Sequence, residues 1–396
     1  MQVKDSWLLP EGVEEVLPPQ AERIEALSRR LLDLYRSWGY ELVVPPLIEY
    51  LETLLTGTGN DLDLQTFKLT DQLNGRLMGV RADMTPQVAR IDAHHLKRET
   101  PTRLCYLGTV LHTRPDGFAG SRSPLQVGVE LYGHAGVESD VEVLSLMLES
   151  LAVTGVQQAY LDLGHVGVYR GLVREAALSE EQEATLFDAL QRKAVPEIRE
   201  CVEAWTLPAG LGEMFIALAR LNGGPEVLAE ARRDLGHASA EVQDAIGYLE
   251  RVAALLAKRL PDVPLHYDLG ELRGYHYHTG VIFAAFVPGH GQAVAQGGRY
   301  DGIARVFGRD RPATGFSADV HTLMVGGPTP SAVADGIFAP WAPDDAELQE
   351  RIQAARKAGE KVISGLPGQH GGAREMGCDR EFVKDKAGWQ IASIGE

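Results

Sequence analysis

RGYHYHTG, from Arg273 to Gly280, and GGRYDG, from Gly297 to Gly302, decide how this 396-residue chain is read. The first run sets Arg273 between Leu272 and Gly274 and follows it with alternating rings. Arginine binds carboxylates in a bidentate fork, and glycine lets a backbone or ligand come close. The second run adds a glycine pair and Tyr300. Together they can line one pocket with a fixed cation, rings and hydroxyls, which suits a small zwitterion with a flat side chain. Each also has a plainer reading: Arg273 as half of a surface ion pair, and Gly297-Gly298-Arg299-Tyr300 as a turn with a packed tyrosine. His276 and His278 read as an HxH pair on a strand. That spacing can bind zinc, but no third ligand accompanies it and no metal is expected.

Two further elements can join that pocket. Arg81-Ala82-Asp83-Met84-Thr85 puts a carboxylate and a hydroxyl where a strand meets a helix, and both can accept hydrogen bonds from an ammonium group. The plainer reading makes Asp83 a helix cap. Gln126 and Glu130 lie four residues apart on a predicted strand and share a face. Such a pair often marks a solvated face; in a pocket it suits an amino group and a ring N–H.

Formal net charge is -17, which leaves little basic footprint for nucleic acid. Cys105, Cys201 and Cys378 lie far apart without a CxxC or metal spacing, as expected of reduced thiols in the cytoplasm. MQVKDSWLLPEG at the start does not read as a signal peptide, and no apolar run reaches the length of a membrane span.

Strand runs broken by helices predict an α+β fold rather than a doubly wound one. A helix is expected over Pro18 to Trp38, strands over Tyr40 to Val44, Thr66 to Leu69 and Leu77 to Arg81, and a polar loop over Gly57 to Asp63. Met84 to His95 reads as a helix. Leu104 to His112 and Gln126 to Tyr132 read as a strand pair. Ser139 to Glu142 and Ser179 to Gln182 both read as capping boxes. The division expected is 1–164 and 263–326 as two parts of one domain, 165–262 as a helical insertion, a linker at Gly326 to Gly336, and 337–396 as a small α/β domain. In that last part a helix is expected from Asp345 to about Ser364, and a hairpin from Arg380 to Ile394.

As a set, these elements resemble the catalytic domain of histidyl-tRNA synthetase, a class II aminoacyl-tRNA synthetase, over roughly Leu9 to Val325. Tyr40 to Leu51 resembles its motif 1, the dimer-forming segment. RADMT resembles the RPEGT stretch that holds the amino group of histidine, with Asp83 in place of glutamate and Thr85 kept. Gln126 and Glu130 match the family's QxxxE. RGYHYHTG resembles RGLDYY, with Arg273 as the arginine, Tyr277 as the first tyrosine and His278 in place of the second. GGRYDG, with Tyr300, matches directly. The departures fall on the ATP half. In the counterpart of motif 2, Leu111 stands where an arginine grips the α-phosphate and Thr113 where a glutamate reads adenine. In the counterpart of motif 3, Thr322 stands where the ATP-binding arginine belongs. Loss of one preorganised charge-stabilising donor costs about 10²–10³ in rate, so adenylate formation is not expected.

A synthetase-like chain without these residues, with a short acidic tail, resembles the regulatory subunits of ATP phosphoribosyltransferase. That resemblance implies a class II synthetase-like, mostly antiparallel sheet flanked by helices. It also implies a non-catalytic subunit that activates a short catalytic subunit in the first step of histidine biosynthesis and mediates feedback by L-histidine. Asp83, Thr85 and Gln126 then hold the ammonium, Glu130 and Tyr277 face the imidazole beside Tyr300, and Arg273 takes the carboxylate. No cofactor is implied. The expected state is a homodimer within a hetero-oligomer, away from membranes and tRNA. An active histidyl-tRNA synthetase and a stand-alone histidine-binding paralogue are the alternatives.

Overall fold

Glycine and small residues alternate with Val, Leu and Tyr along several strands, so the main sheet can bury helices on one face and leave a hollow on the other. The computed structural model describes residues 8–56, 60–115, 120–156, 158–275, 277–303, 305–324 and 336–394. The chain divides into two compact units, Met1–Gly327 and Pro328–Glu396. In the first unit the strands are β1 (Glu41–Leu42), β2 (Ile48–Tyr50), β3 (Phe67–Thr70), β4 (Leu77–Val80), β5 (Thr102–Thr109), β6 (Leu125–Tyr132), β7 (Tyr160–His165), β8 (Asn222–Gly223), β9 (Leu265–Asp268), β10 (Val281–Phe286), β11 (Ala295–Arg299) and β12 (Ala313–Asp319). The second unit adds β13 (Ile337–Ala339), β14 (Val362–Ser364), β15 (Arg380–Asp385) and β16 (Gly388–Ser393).

Nine strands form one sheet in the order β1-β5-β6-β12-β11-β10-β7-β9-β8. Its centre, from β5 through to β7, is antiparallel. Val127, Val129 and Leu131 of β6 pack with Leu27, Leu31 and Tyr35 of the helix Gln20–Ser37 and with Val141 and Leu144 of the helix Val137–Val153. The intervening Gly128, Glu130 and Tyr132 therefore face the other way. On that opposite face, register aligns Glu130, Gly315, Gly298, Ile282 and Gly164 in one row across five strands.

Segment 165–259 forms six helices: Val166–Glu175, Glu180–Gln191, Val195–Ala204, Ala209–Leu218, Glu226–Asp234 and Ala240–Arg259. The capping box at Ser179 forms: its hydroxyl accepts the Gln182 N–H at 3.3 Å and Gln182 Oε1 accepts the Ser179 N–H at 2.9 Å. The segment also supplies β8, which pairs with β9 at the sheet edge.

Several local expectations are corrected. Residues 57–59 of the expected polar loop lie outside the described residues, and Asn60–Gln65 is a helix. The helix after Asp83 is α-helical only over Thr85–Arg90 and continues as a π-helix over Ile91–Leu96. No capping box forms at Ser139, because the helix begins earlier, at Val137. The Ser139 hydroxyl donates to Gly136 O at 2.7 Å, and Glu142 is taken by Arg103 at 2.7 Å. In the second unit the helix spans only Ala346–Lys357, and Val362–Ser364 is a strand. Most of the expected linker, 326–335, lies outside the described residues.

The second unit is a four-stranded sheet, β14-β13-β15-β16, with β13 parallel to both neighbours and β15–β16 the expected hairpin. Ile337, Phe382 and Trp389 pack with Leu348 and Ile352 of the helix. Asp345 caps that helix through the Leu348 N–H at 3.1 Å and also accepts the Trp389 indole N–H at 3.0 Å.

Arg299 locks β11 to the start of the helix Val137–Val153. Its guanidinium meets Asp140 at 3.0 Å and Ser139 Oγ at 2.9 Å, and donates to the His134 and Gly136 carbonyls at 3.2 Å. The Arg299 and Asp140 side chains are 5% and 0% exposed. Arg299→Ala leaves a buried, unpaired carboxylate, which costs about 3–5 kcal/mol. Denaturant unfolding is expected to show that loss, and a double replacement by apolar residues of similar volume to recover most of it.

Candidate functional site

The glycine-rich row on the open face of the sheet is the floor of a cavity of about 780 Å³, the solvent at its mouth included. Asp83, Thr85, Glu130, Arg273, Tyr277 and Tyr300 line it. Gln126 lines the adjoining cavity and reaches back, donating to Asp83 Oδ1 at 2.8 Å and accepting the Met84 N–H at 3.0 Å. All seven expected residues thus fall in one continuous region.

Asp83 accepts the Thr85 N–H at 3.1 Å as well as its hydroxyl at 3.2 Å, but the N-cap of that helix is Met84, so Asp83 stands one residue before the cap position that the plainer reading gave it. Glu130 is 1% exposed, so the pair on β6 does not mark a solvated face. Its carboxyl accepts the Tyr106 hydroxyl at 2.9 Å and the Tyr300 hydroxyl. Burial pushes its pKa well above the ordinary carboxylate value, against the opposing effect of the Tyr106 hydrogen bond. Tyr277 stacks on Tyr300 with ring centroids 5.1 Å apart and planes 28° apart. Its buried hydroxyl has no hydrogen-bond partner among the described residues.

Arg273 is paired with Glu271, donating from its N–H at 2.7 Å and from Nη2 at 3.1 Å. The surface ion pair therefore exists, but the side chain also lines both cavities. RGYHYHTG is not a strand. It is a run of turns: Tyr275 N–H donates to Leu272 O at 2.9 Å, and His278 N–H to Gly274 O at 2.8 Å. Gly274 has φ 65°, a conformation that a strand cannot contain and glycine adopts freely. The HxH alternation therefore has no strand to sit on, and His276 lies outside the described residues. Conversely, Gly297-Gly298 is not a turn but the middle of β11. Arg299 turns away from the cavity toward Asp140, and Tyr300 turns into it.

Tyr106, which joins Thr85 (3.2 Å) to Glu130, was not among the expected residues. Its signal in the sequence is Gly128: a Cβ there would collide with the Tyr106 hydroxyl. Asp162 and Glu271, at the far end of the cavity, carried no signal. The adjoining cavity is lined by Ala82, His112, Gln126, His290, Asp319 and Thr322, among others, and Arg273 is the one Lys or Arg among its described lining residues. Thr322 Oγ1 donates to Asp319 at 3.1 Å, and the Thr113 hydroxyl is spent on Leu64 O at 2.6 Å.

The histidyl-tRNA synthetase family model matches residues 12–323, and the model for the ATP phosphoribosyltransferase subunit HisZ C-terminal domain matches 334–392. An ATP phosphoribosyltransferase regulatory subunit from Thioalkalivibrio sulfidiphilus is 61% identical over 396 residues, covering 100% of both chains. The chain belongs to the family of ATP phosphoribosyltransferase regulatory subunits. A second relative of that name, from Alkalilimnicola ehrlichii, is 59% identical over 96% of each chain. Among solved structures, an ATP phosphoribosyltransferase regulatory subunit/histidyl-tRNA synthetase from Bacillus halodurans is 27% identical, with a TM-score of 0.82 over 94% of this chain and 96% of that one. Histidyl-tRNA synthetase from Nostoc sp. PCC 7120, at 19% identity and a TM-score of 0.78 over 96% and 91%, shares the fold. The fold of this family member is therefore the expected α+β, class II synthetase-like one.

A carboxyl whose folded pKa is raised contributes stability below its unfolded pKa and loses it as pH rises through the folded value. Glu130→Gln removes that loss. The melting temperature of the variant relative to the parent is expected to rise as pH climbs from the ordinary carboxylate range through neutrality. Parallel melting curves across that range would show instead that Glu130 is charged at little cost.

Proposed function

We propose that this chain is the non-catalytic regulatory subunit that activates a short-form ATP phosphoribosyltransferase catalytic subunit and makes it sensitive to L-histidine. The observation that carries the reading is the pairing of two unlike cavities. One offers a zwitterion site: Asp83, Thr85 and Gln126 for the ammonium, Glu130 and Tyr277 for the imidazole beside Tyr300, and Arg273 for the carboxylate. Its buried Tyr277 hydroxyl is a donor that a ring nitrogen can accept. The other cavity, where a synthetase handles ATP, offers a triphosphate one guanidinium among the described residues, and the Asp319 carboxylate. Adenylate formation needs fixed cations where charge develops, and Leu111, Thr113 and Thr322 supply none. Net charge of -17 further disfavours tRNA.

Histidine regulates the partner if it binds one state of the complex better than another, and the coupling is then reciprocal. Mixing the purified chain with the short catalytic subunit from the same cell is expected to raise pyrophosphate-releasing turnover, with L-histidine reversing the gain. Histidine-dependent ATP–pyrophosphate exchange by the chain alone would instead mark an active synthetase. Within the pocket, Asp83→Ala and Glu130→Ala are each expected to weaken histidine about tenfold or more, the cost of leaving one buried polar partner unsatisfied; unchanged calorimetric affinity in both would remove the assignment.

The regulatory subunit is proposed to act as a homodimer. Leu42, Val44, Leu47 and Ile48, in the segment resembling motif 1, are exposed, Val44 to 79%. Neighbouring apolar side chains left in water mark an interaction surface. Val44→Lys is expected to shift the sedimentation of the isolated chain from dimer toward monomer. The free thiols Cys105, Cys201 and Cys378 fit a reducing cytoplasm. Among the described residues no helix is long and apolar enough to cross a membrane.

A further inference from the structure

The run of turns that presents Arg273, Tyr277 and His278 to the cavity is anchored from the side away from the ligand. Lys193 Nζ holds Asp268 Oδ1 at 2.5 Å, just before the turns begin. Leu269 N–H donates to Leu221 O at 3.0 Å. The Tyr275 hydroxyl donates to Glu183 Oε1 at 2.7 Å, and its buried ring packs edge-on against Tyr169 at 5.3 Å. Arg170 holds the turns at two points at once. Its Nη2 donates to the carbonyls of Tyr275 at 3.0 Å and His278 at 3.1 Å, and its guanidinium lies 4.9 Å from the centre of the Tyr275 ring. All of these anchors belong to segment 165–259. On the sheet side the turns end with Thr279 N–H on Arg299 O at 2.7 Å.

One guanidinium nitrogen thus bridges two carbonyls that flank Tyr277, whose hydroxyl has no hydrogen-bond partner among the described residues. A charged donor shared between two carbonyls fixes the distance between them. Without it, the Tyr275 and His278 carbonyls lose their shared donor, and the arc that carries Tyr277 is left to its own backbone hydrogen bonds, such as His278 N–H to Gly274 O. Arg170 lines neither cavity.

We infer that Arg170 is a positioning residue for the ligand pocket: the helical segment, through Arg170 and the Tyr275–Glu183 bond, sets the arc that reads the ligand. The inference rests on the histidine-binding reading above. It makes the helices a place from which ligand affinity is controlled without any contact to the ligand.

The test is calorimetric titration of the full chain with L-histidine, for the parent, Arg170→Met, Arg170→Lys and Tyr275→Phe, with melting temperatures recorded alongside. Arg170→Met keeps the aliphatic stem and removes the donors, so affinity is expected to fall about tenfold or more. Arg170→Lys restores charge and donors but not the fork, and is expected to bind between parent and methionine variant. Tyr275→Phe is expected to weaken binding less, in the same direction. Parental affinity in Arg170→Met overturns the inference. So does equal weakening by Met and Lys that follows melting temperature, which would mean packing alone. Where the methionine variant does not fold, parental affinity in Tyr275→Phe overturns it. A parent chain that takes up no histidine removes the pocket reading and this inference together, whereas a binding parent with an unaffected Arg170→Met removes the inference alone.

Discussion

A cavity can lie on this sheet because three of the five residues in the row that begins at Glu130 have no side chain. Gly315, Gly298 and Gly164 hold the floor down to backbone level across β12, β11 and β7. A Cβ at Gly315 would collide with Glu130, and one at Gly298 would lie 2.6 Å from the His278 ring. The hollow, the burial of Glu130 and the seat of the aromatic walls all follow from that constraint. Glycine normally weakens a strand; here the helices Gln20–Ser37 and Val137–Val153 on the other face, and the Arg299–Asp140 lock beneath β11, supply the rigidity that the glycines do not.

The same frame in the synthetase fold serves two ligands side by side, and in this chain the two halves have diverged in charge. The half around Glu130 is aromatic and furnished with hydrogen-bonding groups. The half around Asp319 is more polar, and shares its one described guanidinium with the first. Arg273 therefore stands at the boundary, paired with Glu271 and lining both cavities. Under the proposed function, a pocket that binds without activating what it binds suits a sensor, since occupancy rather than turnover carries the signal.

Much of this was legible in the sequence, for reasons that differ from residue to residue. Asp83, Thr85, Gln126 and Glu130 were placed by spacing: a strand–helix junction and a four-residue repeat on one strand fix direction locally. The helix Gln20–Ser37 and the Ser179 capping box were legible because periodicity and caps are local. The HxH strand was misread because Gly274 was taken as a point of close approach rather than as the positive-φ residue that curls the run into turns. The Ser139 box was misread because its side chains had stronger partners, Arg299 and Arg103, far away in sequence. Tyr106 escaped because its role depends on facing Gly128 across a strand pair.

By itself the sequence determined the α+β class, the order of the elements, the residue types available for a zwitterion and the absence of arginine at 111 and 322. Those are properties of composition, period and spacing, and they act over a few residues. Only the tertiary structure decided that Arg299 turns away while Tyr300 turns in, that Glu130 is buried between two tyrosines, and that the ligand-facing turns are gripped by Arg170 from a helix about a hundred residues earlier. Each of these depends on strand register and on contacts between distant segments, which the chain acquires only when the sheet closes its rows and the helices pack against them.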